Sequence, residues 1–393
     1  MVQIETFGIE KWMDDYQPGA KYDLAETCCA SISLDDLQSL SVGEKKSIIS
    51  SSKKLGYGDI RGSKELIANL ARLYSRQAPS PLPEENILIT SGAIAANHLL
   101  MYALVGPGDH VICHYPTYQQ LYAEPTALGA EVDLWKANPD KNWSLDIEEL
   151  KRLLKPNTKM IIVKSLLEGV VKIAEEKDII VLSDEVYRPL YHSVDPQSPE
   201  FPPSLVSLGS KHTIVTGSMS KAYSLAGIRL GWIASRNSDI IEKVAGARHY
   251  TIISVSQLDS AVAAYALSDD VHDGLLSRNM NLARDNLKIL DQFVINHSDV
   301  CDWVKPVAGT TAFVRFHKGG KPIDAQVLCR RLVQEAGVCW APGDYSFGKE
   351  FKGYVRIGYV CETQVLRDGL AQTALWLQEN FDALPTTEQS PCP

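Results

Sequence analysis

From about Lys54 to Ser210 the chain alternates helical periodicity with short, β-branched apolar runs: ENILIT (85–90), DHVICHY (109–115), TKMIIV (158–163) and DIIVLSDE (178–185), followed by HTIVTGS (212–218). Such runs, set between helical patterns, predict βαβ units on a parallel sheet. Gly92 after ILIT and Gly106-Pro107-Gly108 before DHVICHY supply the breaks between elements. This region therefore reads as a doubly wound α/β domain. Beyond Trp232 the pattern turns helical, through EKVAGARHY and AVAAYAL to SRNMNLARDNLKILDQFV (277–294). Met280, Leu282, Leu287, Leu290 and Phe293 make the last an amphipathic helix suited to a place between domains. TAFVRFHK (311–318), a helix over 324–336, VCWAPG (338–343) and YVRIGYV (354–360) then predict a smaller α+β unit. DALPTTEQSPCP is polar and Pro-rich and reads as a tail. The expected division is an N-terminal segment over 1–50 belonging to the small domain, a large domain over 51–290, a small α+β domain over 291–382 and a tail over 383–393.

Composition narrows the class. At 393 residues the chain exceeds the usual single-domain size, and its 45% hydrophobic and 22% charged residues are those of a globular protein. Thirty-nine Lys and Arg against 48 Asp and Glu give a net charge of -9, so the basic footprint of a nucleic-acid binder is missing. The apolar runs fall well short of the roughly 18 residues that a membrane span needs, so no membrane partner is expected. The opening MVQIETFGIEKW has no cationic stretch followed by an apolar one, so no secretory signal is read and a cytoplasmic place is expected. Eight cysteines contain no C-x-x-C pair and no cluster with histidines, so no metal site is expected and the thiols read as reduced. The vicinal Cys28-Cys29 read as small buried hydrophobes rather than a redox pair.

The most informative stretch is TGSMSKAYSLAGIRLGW (216–232). Ser218 stands three residues before Lys221 and Arg229 eight after it, directly behind a predicted strand, so a hydroxyl, an amine and a guanidinium meet at one strand end. A phosphate wants such donors, and a Schiff base wants a lysine. Taken alone, Lys221 would read as a solvated surface lysine. In context the stretch resembles the S-x-S-K-x…G-x-R-x-G lysine motif of the class I/II aminotransferases, fold type I enzymes that use pyridoxal phosphate. That resemblance implies a large cofactor-binding α/β domain with a mostly parallel doubly wound sheet, plus a smaller α+β domain. It also implies that Lys221 forms a Schiff base with pyridoxal 5'-phosphate, with Ser218 and Arg229 on the phosphate and Ser220 assisting.

Further motifs follow in the family's order over roughly residues 50–360. SDEVYR (183–188) ends a strand and carries Asp184 and Tyr187. A carboxylate beside the cofactor's ring nitrogen keeps that nitrogen protonated, and the resemblance gives this role to Asp184 and the ring hydroxyl to Tyr187. ITSGAIAANHLL (89–100) is a strand, a glycine turn and an Ala-rich helix whose first N–H groups, at Gly92, Ala93 and Ile94, suit a phosphate. HYPTYQQLY (114–122) resembles the segment whose aromatic, here Tyr118, stacks on the pyridine face. LGYGDIRGSKEL (55–66) resembles the segment whose tyrosine, here Tyr57, reaches the phosphate of the neighbouring subunit's cofactor, which implies a homodimer with shared active sites. GYVRIGYV (353–360) resembles the strand whose arginine, here Arg356, clamps the substrate carboxylate in a two-pronged fork. Arg248 lies near the place of a partner-subunit arginine in dicarboxylate-specific members, with a poor local match. LAETCCASISLDDL (24–37) occupies the place of the substrate-facing N-terminal segment without a residue-by-residue match.

One departure stands out. The family carries a loop N-P-x-N-P-T-G, whose asparagine bonds the ring hydroxyl, where this chain runs from Lys164 straight into SLLEGVVKIAEEKD. Regular flanking elements favour an omitted stretch over a true absence, and a peptide bond of about 1.33 Å between Lys164 and Ser165 would decide for absence. The expected function is transamination of an α-amino acid. The alternatives are a pyridoxal-phosphate lyase or cyclase (β-elimination, carbon–sulfur lysis, or a reaction like that of aminocyclopropane-carboxylate synthase) and a non-catalytic protein of the same fold.

Overall fold

Seven apolar runs pair into one sheet, in the spatial order Ile87–Thr90, Gly231–Ser235, Thr213–Ser218, Ile180–Asp184, Thr158–Val163, His110–Tyr115 and Glu131–Lys136. The computed structural model describes residues 4–43, 46–164, 168–196 and 198–387. Gly231–Ser235 pairs antiparallel with both neighbours, and the other four pairings are parallel. Every residue of Ile87–Thr90, Thr213–Ser218 and Gly231–Ser235 is buried, as expected of strands covered by helices on both faces. The outermost strand, Glu131–Lys136, is only partly buried and keeps its charged ends in water. Mixed parallel topology with helical crossovers brings the strand C-termini and the following helix N-termini to one edge, where ligands of such sheets bind. The register fixes that edge: Thr90 and Ser218 both lie opposite Gly231, and Asp184 lies opposite Thr216.

The second sheet is antiparallel, in the order Lys321–Pro322, Thr311–Lys318, Tyr354–Gly358 and Ala341–Pro342, with Cys301–Trp303 also on Thr311–Lys318. Burial alternates along Thr311–Lys318, so one face of this sheet packs and the other is wetter. Asp324 caps the helix Ala325–Ala336 by accepting from Val327 N at 3.0 Å, and Gly337 closes it at φ 70. Residues 384–387, at the start of the stretch read as a tail, lie along this sheet: Asp324 N donates to Pro385 O and Thr387 N to Pro322 O, each at 2.8 Å. The remainder, 388–393, lies outside the described residues.

The helix His272–Asn296 ties the two sheets together. Its buried positions include Leu275, Leu276, Met280, Ala283, Leu287, Leu290 and Phe293, the three-and-four spacing of an amphipathic face. On that face Asn279 Nδ2 donates to Ala222 O beside Lys221, and Asn286 Nδ2 donates to Tyr359 O beyond Arg356, each at 2.8 Å. Both amides are fully buried, so each carbonyl they hold is fixed by a bond that water cannot replace. No helix among the described residues is long and apolar enough to cross a membrane.

Candidate active site

Four donors meet at the sheet edge where the lysine strand ends. Ser218 Oγ lies 2.8 Å from Ser220 Oγ and accepts from Ser220 N at 2.9 Å, and Arg229 Nη1 donates to Ser220 Oγ at 3.2 Å. Arg229 itself holds a left-handed backbone, φ 48, which turns its side chain back over the strand ends. The helix Gly92–Leu104 begins beneath that guanidinium: a Cβ on Gly92 would stand 3.0 Å from Arg229 Nη2. Gly231 allows this closeness, since a Cβ there would meet Gly92 C at 2.5 Å and Ala93 N at 2.6 Å. No side chain caps this helix and no acid stands in its first turn, so the N–H groups of Gly92, Ala93 and Ile94 stay available to an anion. Thr216 Oγ1 donates to Asn97 Oδ1 at 2.9 Å and locks helix to strand. Hydroxyls, a guanidinium and an open helix start form the donor set that a phosphate ester requires.

One strand over, Asp184 is buried at 5% exposure, and its hydrogen bond is a long one, 3.4 Å from Val186 N. A buried carboxylate so poorly satisfied calls for a cationic donor, which a protonated pyridine nitrogen supplies. Beside it a cavity of about 160 Å³ is lined by Lys164, Ser183, Asp184, Tyr187, Tyr191 and Gly309 among others. Tyr118 stands at the same edge, with Lys164 Nζ 5.9 Å from its ring centre and its hydroxyl donating to Glu10 Oε1 at 2.8 Å. Burial, with the Glu10 carboxylate next in effect, pushes the Tyr118 phenol well up, so it is a donor throughout the working range. The donor set and the Asp184 carboxylate thus fit pyridoxal phosphate.

Lys221 follows this edge and meets the N-terminal segment. Its Nζ donates to Thr27 Oγ1, lies 3.6 Å from Cys28 Sγ and is 3.6 Å from Glu26 Oε1. Burial works against the ammonium, but the Tyr187 hydroxyl, the Cys28 thiol and the Glu26 carboxylate outweigh it and raise its pKa. For Glu26 burial pushes upward, and the Lys221 ammonium with the N–H donors of Thr27 and Cys28 overrides it, lowering the carboxyl to about 2. Arg356 approaches from the second sheet. Its Nη2 donates to Ala25 O at 2.6 Å, and its Nε is buried with no partner, an open donor directed at no protein group. Burial lowers its pKa, and Tyr187, Glu26 and Glu10 act in the opposite sense, so Lys221 and Arg356 share the field of Tyr187 and Glu26.

The segment 24–32 is stitched to both sheets. Leu24 N donates to Cys339 O, Gly358 N to Leu24 O and Ala30 N to Val360 O on one side; Cys29 N donates to Lys221 O and Ile32 N to Ser224 O on the other. Gly358 permits the crossing, for a Cβ there would lie 1.8 Å from Glu26 O. Glu26, Thr27 and Cys28 are the site residues that the motifs do not single out.

Other expectations fall elsewhere. Tyr57 is 86% exposed on this chain. Arg248 is fully buried, and its three guanidinium nitrogens have no hydrogen-bond partner. The Lys164–Ser165 junction lies outside the described residues; the strand ends at Val163 and the next helix begins at Glu168. Among the described residues no group of His, Cys, Asp and Glu could hold a metal ion. A larger cavity of about 610 Å³ opens between Tyr74, Arg188, Tyr223 and Arg284, and none of the site residues described above lines it.

Comparison with known proteins gives a consistent family. Residues 33–372 match the family described as aminotransferase class I and II. A PLP-dependent aminotransferase from Streptococcus suis 89-1591 is similar at 35% identity and a TM-score of 0.86, covering 96% of this chain and 98% of that one. An aspartate aminotransferase of Sulfurisphaera tokodaii is 25% identical over 350 residues, 84% of each chain. A capreomycidine synthase of Streptomyces vinaceus is 27% identical over 307 residues, 74% of each.

Proposed function

The chain belongs to the class I and II aminotransferases and is a pyridoxal-phosphate-dependent enzyme, and on that premise we propose that Lys221 is its reacting amine and the edge around it its one active site. The observation that carries this reading is that Lys221 Nζ and the Arg356 guanidinium meet one short segment, at Thr27 Oγ1 and Ala25 O, beside the donor set of Ser218, Ser220 and Arg229. Ser218, Ser220, Arg229 and the N–H groups of Gly92, Ala93 and Ile94 hold the phosphate. Asp184 faces the ring nitrogen, Tyr187 the ring hydroxyl and Tyr118 the ring face. Once bound, the cofactor supplies a sink for the electron pair left at Cα when a bond there breaks. Arg356 holds the substrate carboxylate through its unpartnered Nε and an Nη, and so turns the Cα proton toward Lys221 Nζ. Lys221 Nζ then takes that proton and returns it on the far side of the transfer. Hydride reduction of the purified yellow enzyme followed by peptide mass mapping tests the assignment: the cofactor mass belongs on Lys221. A label on Lys164 or any other lysine would overturn it.

Amino transfer is the reading of the reaction. A lyase or cyclase working with the same residues is the second reading, favoured by the likeness to a capreomycidine synthase. Incubation with amino acids and 2-oxoglutarate separates them, since transfer yields a new amino acid and elimination yields ammonia and an oxo acid.

The functional unit is a homodimer. Leu55, Tyr57, Ile60, Tyr250 and Ile253 are large, apolar and exposed, and Gln257 Nε2 to Gly56 O at 2.6 Å joins the strip 55–60 to the region after Tyr250. Such a strip suits burial against a second copy, with Tyr57 crossing to that copy's phosphate. Sedimentation should give twice the chain mass, and mixed Tyr57→Phe and Lys221→Ala protomers should keep part of the activity that neither has alone.

A further inference from the structure

The carboxylate of Glu26 has no place in the reading above, although it stands 3.6 Å from the amine on which that reading depends. It does not swing freely: Oε1 accepts from Thr27 N at 2.5 Å and Cys28 N at 3.0 Å, a closed turn on a segment bonded to both sheets. The Thr27 hydroxyl at 3.3 Å and the Cys28 thiol complete the carboxylate's neighbours on this chain, and Lys221 is its one ion-pair partner among the described residues. We propose that Glu26 selects α-amino acids whose side chain carries a cation, an ammonium or a guanidinium, an inference that rests on Lys221 being the reacting amine.

The charges around the pocket lead there. Lys221 balances Glu26 as a free ammonium, and its nitrogen would not be one while joined to the cofactor or while acting as the base for the Cα proton. Arg356 is committed to the substrate carboxylate, and Arg229 to the phosphate. The substrate's α-nitrogen is the reacting atom and cannot stay as a counter-ion. Glu10 adds a second anion on the far side, fixed on Tyr118. A half-buried anion left without a cation is costly, and like charges brought together cost more. A substrate with a side-chain carboxylate would meet the like charges of Glu26 and Glu10, whereas a side-chain cation would find the Glu26 carboxylate. Because Glu26 is 44% exposed, solvent screening limits the effect to roughly ten- to a hundredfold in specificity.

The test compares kcat/KM of the holoenzyme for ornithine, lysine and arginine with norleucine, aspartate and glutamate, using one oxo-acid acceptor. A parallel calorimetric titration measures Kd for α-methylornithine and α-methylnorleucine, which bind but have no Cα proton to lose. The expected result is at least a tenfold preference for the basic member of each pair, a ratio that collapses in Glu26→Gln and partly survives in Glu26→Asp. Aspartate, glutamate or norleucine taken as well as ornithine overturns the selectivity and leaves the aminotransferase reading standing. An unchanged ratio in Glu26→Gln overturns the role of this residue. If no amino acid turns over yet α-methylornithine still binds more tightly, the aminotransferase reading falls and the role of Glu26 stands.

Discussion

The two halves of the site are built in opposite ways. The proposed cofactor half is local: Ser218, Ser220, Lys221 and Arg229 lie within twelve residues at the end of one strand, and Gly92 follows, and Asp184 ends, another strand of the same sheet. The substrate half is assembled from afar. Glu26 and Thr27 reach Lys221 across 194 positions or more, and Ala25 meets Arg356 across 331. A rigid parallel sheet holds the first half, and a single strap of chain bonded to both sheets holds the second. The contrast suggests that cofactor chemistry tolerates little displacement, while the choice of substrate rests on a segment whose side chains can change without disturbing the sheet.

Substitutions can break or sharpen this division. Lys221→Ala carries the largest expected effect, a loss of turnover of roughly a thousandfold or more together with the yellow colour, with far-UV dichroism unchanged. Residual turnover near the parent level would dissolve the cofactor half as drawn. Asp184→Ala should come next, lowering kcat by roughly a hundredfold while cofactor affinity falls much less, because the phosphate contacts remain. Equal losses of kcat and affinity would mean that phosphate and ring are not held separately. Arg356→Lys should act on the other half, raising KM by roughly tenfold with a smaller change in kcat, since one ammonium cannot reproduce two parallel hydrogen bonds. Unchanged KM would put the substrate carboxylate elsewhere.

Much of the first half was legible from sequence because its chemistry is written in consecutive residues at strand ends. The strands Thr213–Ser218 and Ile180–Asp184 are almost wholly buried, and the polar residues at their ends stand out against the apolar ones before them. In the second half Arg356 was legible in GYVRIGYV, whereas Glu26, Thr27 and Cys28 were not, because LAETCCA is placed largely by backbone bonds to Cys339, Lys221, Gly358 and Val360. Backbone groups are the same in every residue and leave no pattern. Glu131–Lys136 escaped for a different reason: as an edge strand it mixes Glu131, Asp133 and Lys136 with its apolar residues. Its polar side chains meet solvent and neighbouring charges, such as Lys155 Nζ on Asp133 Oδ2 at 2.7 Å.

The smallest expected effect is one of pH and reports on the strap. Glu26 is held at about 2 in the folded chain against an ordinary carboxyl value of 4.5. A depressed folded value adds stability above the unfolded pKa and loses it as pH falls from about 4.5 toward about 2. In cofactor-free protein, where Lys221 keeps its ammonium, the difference in melting temperature between the parent and Glu26→Gln should be widest near neutrality and shrink through that window. A difference that ignores pH would uncouple Glu26 from Lys221.

The stitching of residues 24–32 also has a mechanical consequence. Hydrogen bonds near 3 Å fail after roughly half an ångström of stretch, and this strap is anchored on Cys339, Gly358 and Val360 at one end and on Lys221 and Ser224 at the other. Any rocking of the small sheet against the large one must therefore leave the distance between these anchors nearly constant. That condition makes the strap a link of fixed length between the sheets, so Glu26 would be displaced less by such rocking than the outer rim of the small sheet.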